Sequence, residues 1–570
     1  PRHGCRVLTV PDLAAVLGSV DLAETSICLD GGADTMALAS GFLAVAKERE
    51  VDYGSLRGGF AFDPIGILVG EGGIQGGLGA RLGELRDLAA WCDSHAPNLR
   101  AVWVSGQPYD EAGASAVQEL AYTIATGIEY LREMTAAGLG VDAAARQIGF
   151  SYSISGDFFT QVAKLRAARA LWANVVRASG AEASSAAMPI HARTSRFTKT
   201  QRDPWVNLLR ATAECTAAVF GGAQSVSTLP FDSVLGTPNE LARRVARNTQ
   251  VVLREESHLD AVADPAGGSW FVESLTLELA RAAWAEVQSV EASGGMIKAL
   301  GSGKVLDSVA EVARSRNKAL ATRKTPIVGV SEFPNAEEEP LSREQLSEDD
   351  VRRMLRSAVD ELDVGAHRED LLGLARRVND PNRELGALTE ACLITTTGGL
   401  DMYSVAAVLQ HGRPEFHVEP VPQWRASAAW EALRARSDRS EPRPAAFMAN
   451  LGTIPSHKAR STWSRNLLAA AGIRSADNDG FADADSIGQT WSESGAVLAV
   501  VCGSDADYES MLEPAITALK QADCPLVLVA GRPGERESAL REAGASDFVY
   551  VGADVLSIMS NVLDSVGVER

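Results

Sequence analysis

Two histidines stand where chemistry could be done. His191 lies in Ile190-His191-Ala192-Arg193, and His457 lies in Gly452-Thr453-Ile454-Pro455-Ser456-His457-Lys458-Ala459-Arg460. An imidazole can serve as acid, base or metal ligand near neutral pH. A lone His on a strand is more often a hydrogen-bonded structural group, which is the expectation for His191. Solvent exposure is expected for Arg193, and a solvent-facing loop position for His457. The eight His are dispersed. Only His411 and His417 are close, with no Cys or acidic cluster beside them, so no metal site is predicted. The stretches Gly70–Gly79 and Gly221-Gly222 lack both G-x-G-x-x-G after a strand and G-K-[ST], and read as loops rather than phosphate cradles. No Ser-His-Asp set follows from spacing alone.

These residues need elements to hold them. Short β-rich runs alternate with long Ala/Leu/Arg helical stretches over residues 6–330. Strands are predicted at Arg6–Val10, Ser26–Asp30, Gly58–Phe62, Ala101–Ser105, Ile148–Ser153, Met188–Ala192, Ser225–Phe231 and near Gly268–Val272. Helices are predicted at Asp34–Lys47 (Asp34 as N-cap), Ala114–Ala136, Phe159–Ala178, Pro204–Val219 and Glu240–Glu255. Eight β-then-α units match a (β/α)8 TIM barrel over 6–330. An acidic, Pro-containing linker follows (Glu332–Asp350), then a mostly helical stretch and a Pro- and Arg-rich connector, together 331–444. The amphipathic helix bearing Leu355, Val359 and Leu362 needs something to pack on, either this chain or a partner. From 445 to 570 the alternation resumes. Strands are predicted at Ala445–Leu451, Ala496–Cys502, Pro525–Gly531, Phe548–Gly552 and near Ile473, with helices at Ser461–Ala471, Tyr508–Gln521 and Glu535–Ala543. That pattern fits a flavodoxin-like, doubly wound domain.

Composition narrows the function classes. The 570 residues are 46% hydrophobic and 22% charged, which excludes wholesale disorder. Lys+Arg is 54 against Asp+Glu 74, a net charge of −20, and such a surface repels nucleic acid and anionic membranes. No apolar run approaches the ~20 residues of a membrane span. Seven Cys (Cys5, Cys28, Cys92, Cys215, Cys392, Cys502, Cys524), an odd number without C-x-x-C, suit reduced thiols in the cytoplasm. Residues 1–5 do not form a signal peptide, and Pro1 in place of Met leads us to expect sequence before it.

The chain resembles the methylmalonyl-CoA mutase family. The resemblance rests on Ser105-Gly106, Glu111-Ala112-Gly113-Ala114, Glu119–Tyr122, the run Val162–Arg169 (VAKLRAAR), Ala246–Gln250 (ARNTQ), Glu255-Glu256-Ser257 and Asp264–Ser269 (DPAGGS), in the family's order and spacing. It covers most of residues 20–330. It implies a CoA-ester-binding barrel joined to a cobalamin domain, with adenosylcobalamin supplying the radical chemistry. The family's catalytic positions are altered here. Its Tyr-His after Ser-Gly reads Gln107-Pro108, and Pro has no side-chain donor. A carboxylate-binding Gln aligns with Ala61. The family His-x-Gln reads His191-Ala192-Arg193. An Asn and a Glu align with Leu229 and Ser233.

The cobalamin signature D-x-H-x-x-G is altered as well. His457 falls at the cobalt-ligand position, but Pro455 replaces the Asp that would hold its other nitrogen, and Arg460 replaces the Gly. The family's Ser-x-Leu reads Ser504-Asp505-Ala506, where Asp505 is expected to put an acid in the nucleotide-tail cavity. Its Gly-Gly reads Ala530-Gly531, followed by Arg532. The resemblance therefore implies the small subunit of a heterodimeric methylmalonyl-CoA mutase, itself catalytically inactive and without bound cofactor or metal. Its implied partner is a large catalytic chain, 1:1, that carries adenosylcobalamin and interconverts (R)-methylmalonyl-CoA and succinyl-CoA. A cobalamin-loading GTPase chaperone is a further possible partner. Two alternatives are an active mutase of unusual specificity using His457, and a CoA-ester-binding module without a mutase partner.

Overall fold

The computed structural model describes residues 6–345, 347–360, 362, 367–378, 380, 382–410 and 416–569. It is an α/β structure of parallel sheets and mostly helices, in two compact units. The first unit comprises Pro1–Phe197, Arg210–Ala313 and Arg343–Trp424; the second comprises Thr198–Leu209, Arg314–Ser342 and Arg425–Arg570. No described helix is long and apolar enough to cross a membrane.

In the first unit, β1 (Ser26–Leu29), β2 (Arg57–Phe60) and β3 (Leu99–Arg100) form one parallel sheet. β4 (Val102–Ser105), β5 (Ile148–Ile154), β6 (Ile190–Thr194) and β7 (Ser225–Ser227) form another, also parallel and in chain order. Only Ala101 separates β3 from β4, so a single run serves both sheets. Helices including Thr35–Glu48, Leu78–His95, Ala116–Ala136 and Phe158–Ala178 join successive strands. Parallel strands need such crossovers. All strand ends on one side therefore belong to carboxyl termini.

Two predicted strands are helical instead. Val10 begins the helix Val10–Leu17, and Arg6–Thr9 only leads into it. Thr9 Oγ1 accepts the Asp12 N–H at 3.2 Å and Asp12 returns the bond to the Thr9 N–H at 3.1 Å, a capping box that overrides the β propensity of Val-Leu-Thr-Val. Near Gly268–Val272 the chain enters the 23-residue helix Trp270–Ala292, whose buried Val272, Leu279, Ala283, Val287 and Val290 keep helical period. β6 starts two residues later than predicted, at Ile190, because Pro189 has no N–H to give the ladder. β7 stops at Ser227, short of Pro230. Asp34 occupies an N-cap position but makes no capping bond; its carboxylate accepts Gln410 Nε2 at 2.5 Å.

The helix Ala387–Thr397 packs on this unit's own helices. Thr389 N–H donates to Asp87 at 2.8 Å, Trp91 Nε1 to Glu390 at 2.9 Å, and Ser40 and Thr396 hydroxyls meet at 2.9 Å. The loop after Pro64–Glu71 curls around a cation. Arg81, fully buried, donates to the carbonyls of Gln75, Ala33 and Leu409 and pairs with Glu84 at 2.8 Å.

In the second unit, β8 (Ala445–Asn450), β9 (Arg474–Ser475), β10 (Leu498–Cys502), β11 (Val527–Ala530) and β12 (Asp547–Val549) form one parallel sheet in the order β12-β11-β10-β8-β9. The helix after β8 spans Ile454–Ala470 and so starts seven residues before the predicted one. Two helices lie outside the prediction, Ala484–Ser494 and Val555–Ser565. Each starts from an Asp cap, Asp483 and Asp554.

Candidate functional site

The altered positions of the first unit lie at or just after carboxyl ends of parallel strands: Ala61 after β2, Gln107 and Pro108 after β4, Arg193 as the penultimate residue of β6, and Leu229 and Ser233 after β7. In α/β enzymes this is the end that carries the chemistry. Gln107 opens the short helix Gln107–Glu111 and is spent on the strands beside it. Ser105 Oγ donates to Gln107 Oε1, and Gln107 Nε2 donates to Ser151 Oγ at 2.7 Å, Ser105 and Ser151 being partners in the β4–β5 ladder. Pro108 supplies only its carbonyl, to Ala112 N–H at 3.2 Å.

Arg193 is half-buried and pairs with Glu111 at 3.7 Å, so the expectation of a solvent-exposed side chain fails. Burial pushes the Glu111 carboxyl up, and Arg193 and Arg196 pull it back. His191 is hydrogen-bonded as expected: Nδ1 meets Ser225 Oγ at 2.8 Å across the β6–β7 ladder. Burial, and after it the charge of Arg193, hold its pKa below the ordinary value, which favours the neutral ring. Leu229 gives its backbone N–H to Thr194 Oγ1 at 2.8 Å, and Ala61 gives its own to the Leu29 carbonyl at 2.7 Å. Ser233 Oγ is buried with no hydrogen-bond partner among the described residues.

Three acidic groups that sequence reasoning missed are buried around this end. Glu119 and Lys164 pair at 2.5 Å, Glu119 also accepting Ser153 N–H at 2.8 Å and Lys164 donating to the Ser153 carbonyl at 2.6 Å. Burial pushes the Glu119 carboxyl up and Lys164 opposes it. Gly106 must be glycine, since a Cβ there would stand 2.4 Å from Glu119 Oε1. Asp110 accepts Ser195 Oγ at 2.6 Å. Asp63 accepts Tyr130 OH at 2.5 Å, Ser105 N–H at 2.7 Å and Gly66 N–H at 3.0 Å; burial still raises its pKa. The only signal in the chain was polarity inside apolar helices, at Glu119 and Lys164. Their pairing depends on two helices flanking β5.

The second cluster lies at the carboxyl ends of β8, β10 and β11. Thr453 is extended at the N-cap position, and Pro455 sits at the second helical residue, where its missing N–H costs nothing. Pro455 therefore helps to start the helix. That places His457 in its first turn, 1% exposed, and not in a solvent-facing loop. Gly480 (φ +98°) passes over the ring: a Cβ there would come 2.8 Å from His457 Cε1. His457 Nδ1, Asn450 Oδ1 and Ser461 Oγ are buried without hydrogen-bond partners among the described residues.

Arg460, one turn further, donates from Nη1 to the Gly503 carbonyl and from Nη2 to Asp505 Oδ1, each at 2.5 Å, and lies 4.6 Å over the Tyr508 ring. Tyr508 OH is anchored to the carbonyls of Val501 and Ala530, both at 2.9 Å. A Cβ at Gly531 would come 3.4 Å from the Tyr508 ring and 3.9 Å from Arg460 Cζ. The Arg460 guanidinium and the Tyr508 phenol thus stand together at the carboxyl ends of these strands. Asp505 is no cavity acid: its side chain is 92% exposed and paired with Arg460. Ser504 is spent as the N-cap of Asp505–Gln521 in a capping box with Asp507. Among the described residues no three His, Cys, Asp or Glu side chains gather to hold a metal ion; His411 lies outside those residues.

The comparisons agree with the resemblance. The family model for methylmalonyl-CoA mutase matches residues 2–398. The methylmalonyl-CoA mutase small subunit of Streptomyces virginiae is 37% identical over 569 residues, 99% of this chain and 80% of that protein. The probable methylmalonyl-CoA mutase small subunit of Mycobacterium bovis is 34% identical over 573 residues, 98% of this chain and 79% of that protein. Similarity to the methylmalonyl-CoA mutase of Escherichia coli, 33% identical, spans 333 residues, 58% of this chain and 47% of that protein. With the family matched over well more than half its length, the chain belongs to the methylmalonyl-CoA mutase family.

Proposed function

We propose that this chain is the non-catalytic small subunit of a heterodimeric, cytoplasmic methylmalonyl-CoA mutase. By the family resemblance, the parallel strands within residues 26–227 belong to its barrel, with the predicted first and eighth strands helical, and residues 445–570 are its flavodoxin-like domain. The strand order of the second unit, which reads 2-1-3-4-5, supports the last assignment. The names of the Streptomyces virginiae and Mycobacterium bovis relatives support the small-subunit reading. Its partner is the large chain, 1:1, which binds adenosylcobalamin, interconverts (R)-methylmalonyl-CoA and succinyl-CoA, and receives its cofactor from a loading GTPase.

The observation that carries the reading is Arg460 stacked on Tyr508 and bonded to Gly503 and Asp505. A corrin docked at these strand ends would need them bare, and here a guanidinium stands on them. His457 does not fit a cobalt-ligand role, because its Nδ1 has no acceptor among the described residues to orient the ring; losing such a partner typically costs roughly 10–100-fold in metal affinity. In the first unit, Gln107 is bound to Ser105 and Ser151, and Pro108 offers no donor to an acyl carbonyl. Arg193, where the family has Gln, is paired with Glu111. The side chains of Gln107 and Arg193 are committed to the protein itself, and Ala61, Pro108 and Leu229 have no side-chain donor to offer.

The test is reconstitution. The purified chain, supplied with adenosylcobalamin and (R)-methylmalonyl-CoA, is expected to give no succinyl-CoA. The same chain co-purified with its large chain is expected to give a 1:1 complex that does. Turnover by this chain alone would overturn the assignment.

A further inference from the structure

The helix Trp270–Ala292 has two apolar faces. Val272, Leu279, Ala283, Val287 and Val290 are buried against the first unit. Trp270, Leu277 and Trp284 are spaced by seven, so at 3.6 residues per turn they lie within ~40° of one another on the opposite side. All three are exposed, Trp270 by 90%. Phe271 extends the stripe, and its ring meets exposed Phe159 edge-on at 5.5 Å; Phe159 in turn meets Phe158 at 5.3 Å. A helix facing water on that side should be polar there.

These five side chains expose on the order of 600 Å², from the 150–250 Å² that an aromatic residue can bury. That is at the upper end for any patch on a monomer and close to the ~800 Å² per partner of a standard interface. Its composition, two Trp and two Phe with Arg281 in the same stripe, is the composition of binding hot spots. A second copy of this chain is disfavoured as the occupant, since it would bring a second net charge of −20.

We propose that the outer face of Trp270–Ala292, with Phe159, is the docking surface for the large mutase chain. Trp270 and Leu277 are its central anchors. The inference rests on the small-subunit reading and adds where the pairing occurs.

The experiment compares the parent chain, Trp270→Asp/Leu277→Asp, and Val551→Asp, a control at an exposed apolar residue of the second unit (75% exposed). Each is titrated with the large chain of the same source and followed by sedimentation and calorimetry. Circular dichroism and Tm report folding. The expected result is that the double variant keeps its spectrum and Tm and binds the large chain at least 100-fold more weakly, while Val551→Asp binds like the parent. If the parent binds and the double variant binds within threefold of it, the surface is wrong and the small-subunit reading stands. If the parent does not bind the large chain, that reading fails first, and the docking claim with it. Self-association of the parent that the double variant abolishes would also overturn the proposal, by assigning the face to a second copy.

Discussion

Lys164 and Glu119 lie in the interior of the first unit and satisfy one another and the Ser153 backbone. Burying one charge without the other is what such a site tolerates least. Lys164→Met should therefore cost about 3–5 kcal/mol in urea unfolding of this unit, whereas Lys164→Met/Glu119→Leu should recover much of that loss. A Lys164→Met cost below ~1 kcal/mol would mean that water reaches the pair. At the residue scale, what the sequence made legible was replacement: Gln107, Pro108, Pro455 and Arg460 could be read against the family pattern directly. What those residues do instead was not legible. Arg193 is tied to Glu111, and His457 is covered by Gly480, in each case by groups far away in the chain. The polar run Thr-Ile-Pro-Ser-His-Lys reads as a loop because burial comes from the loop that crosses it.

Elements were legible where period and length were strong. Glu240–Glu255 lies where predicted, and Ala116–Ala136 and Phe158–Ala178 within two residues. They failed where a local cap outweighed propensity, as at Thr9 and Asp12, or where polar residues hid a helix start, as at Ile454. Caps therefore carry measurable weight. Ser504→Ala should cost about 1 kcal/mol by removing the N-cap of Asp505–Gln521. The Ser504 hydroxyl, with the Ser504 N–H, holds the Asp507 carboxyl below its ordinary value of 3.8. A depressed folded pKa gives stability that is present above the unfolded value and lost as pH falls through the folded one. The difference between parent and Ser504→Ala in denaturant midpoint should therefore persist at neutral pH and shrink below pH ~3.8. A difference that grows in acid would contradict the capping box.

At the scale of the whole molecule, both units are parallel α/β structures, and at their carboxyl strand ends Gln107, Arg193 and Arg460 are bonded to the chain itself. Family membership was legible because its motifs sit in core helices and turns. The altered chemistry was legible because those motifs pin Gln107-Pro108 on both sides. The exposed apolar face was not, since the sequence puts Trp270 in a strand near Gly268–Val272 and predicts no helix that carries Leu277. On the reading proposed above, neither unit binds cofactor or turns over substrate alone. Visible absorption of adenosylcobalamin, titrated with the isolated chain at tens of micromolar, tests it most directly. We predict the spectrum of the free cofactor throughout. A saturable conversion to the base-off, histidine-ligated spectrum that His457→Ala abolishes would contradict it.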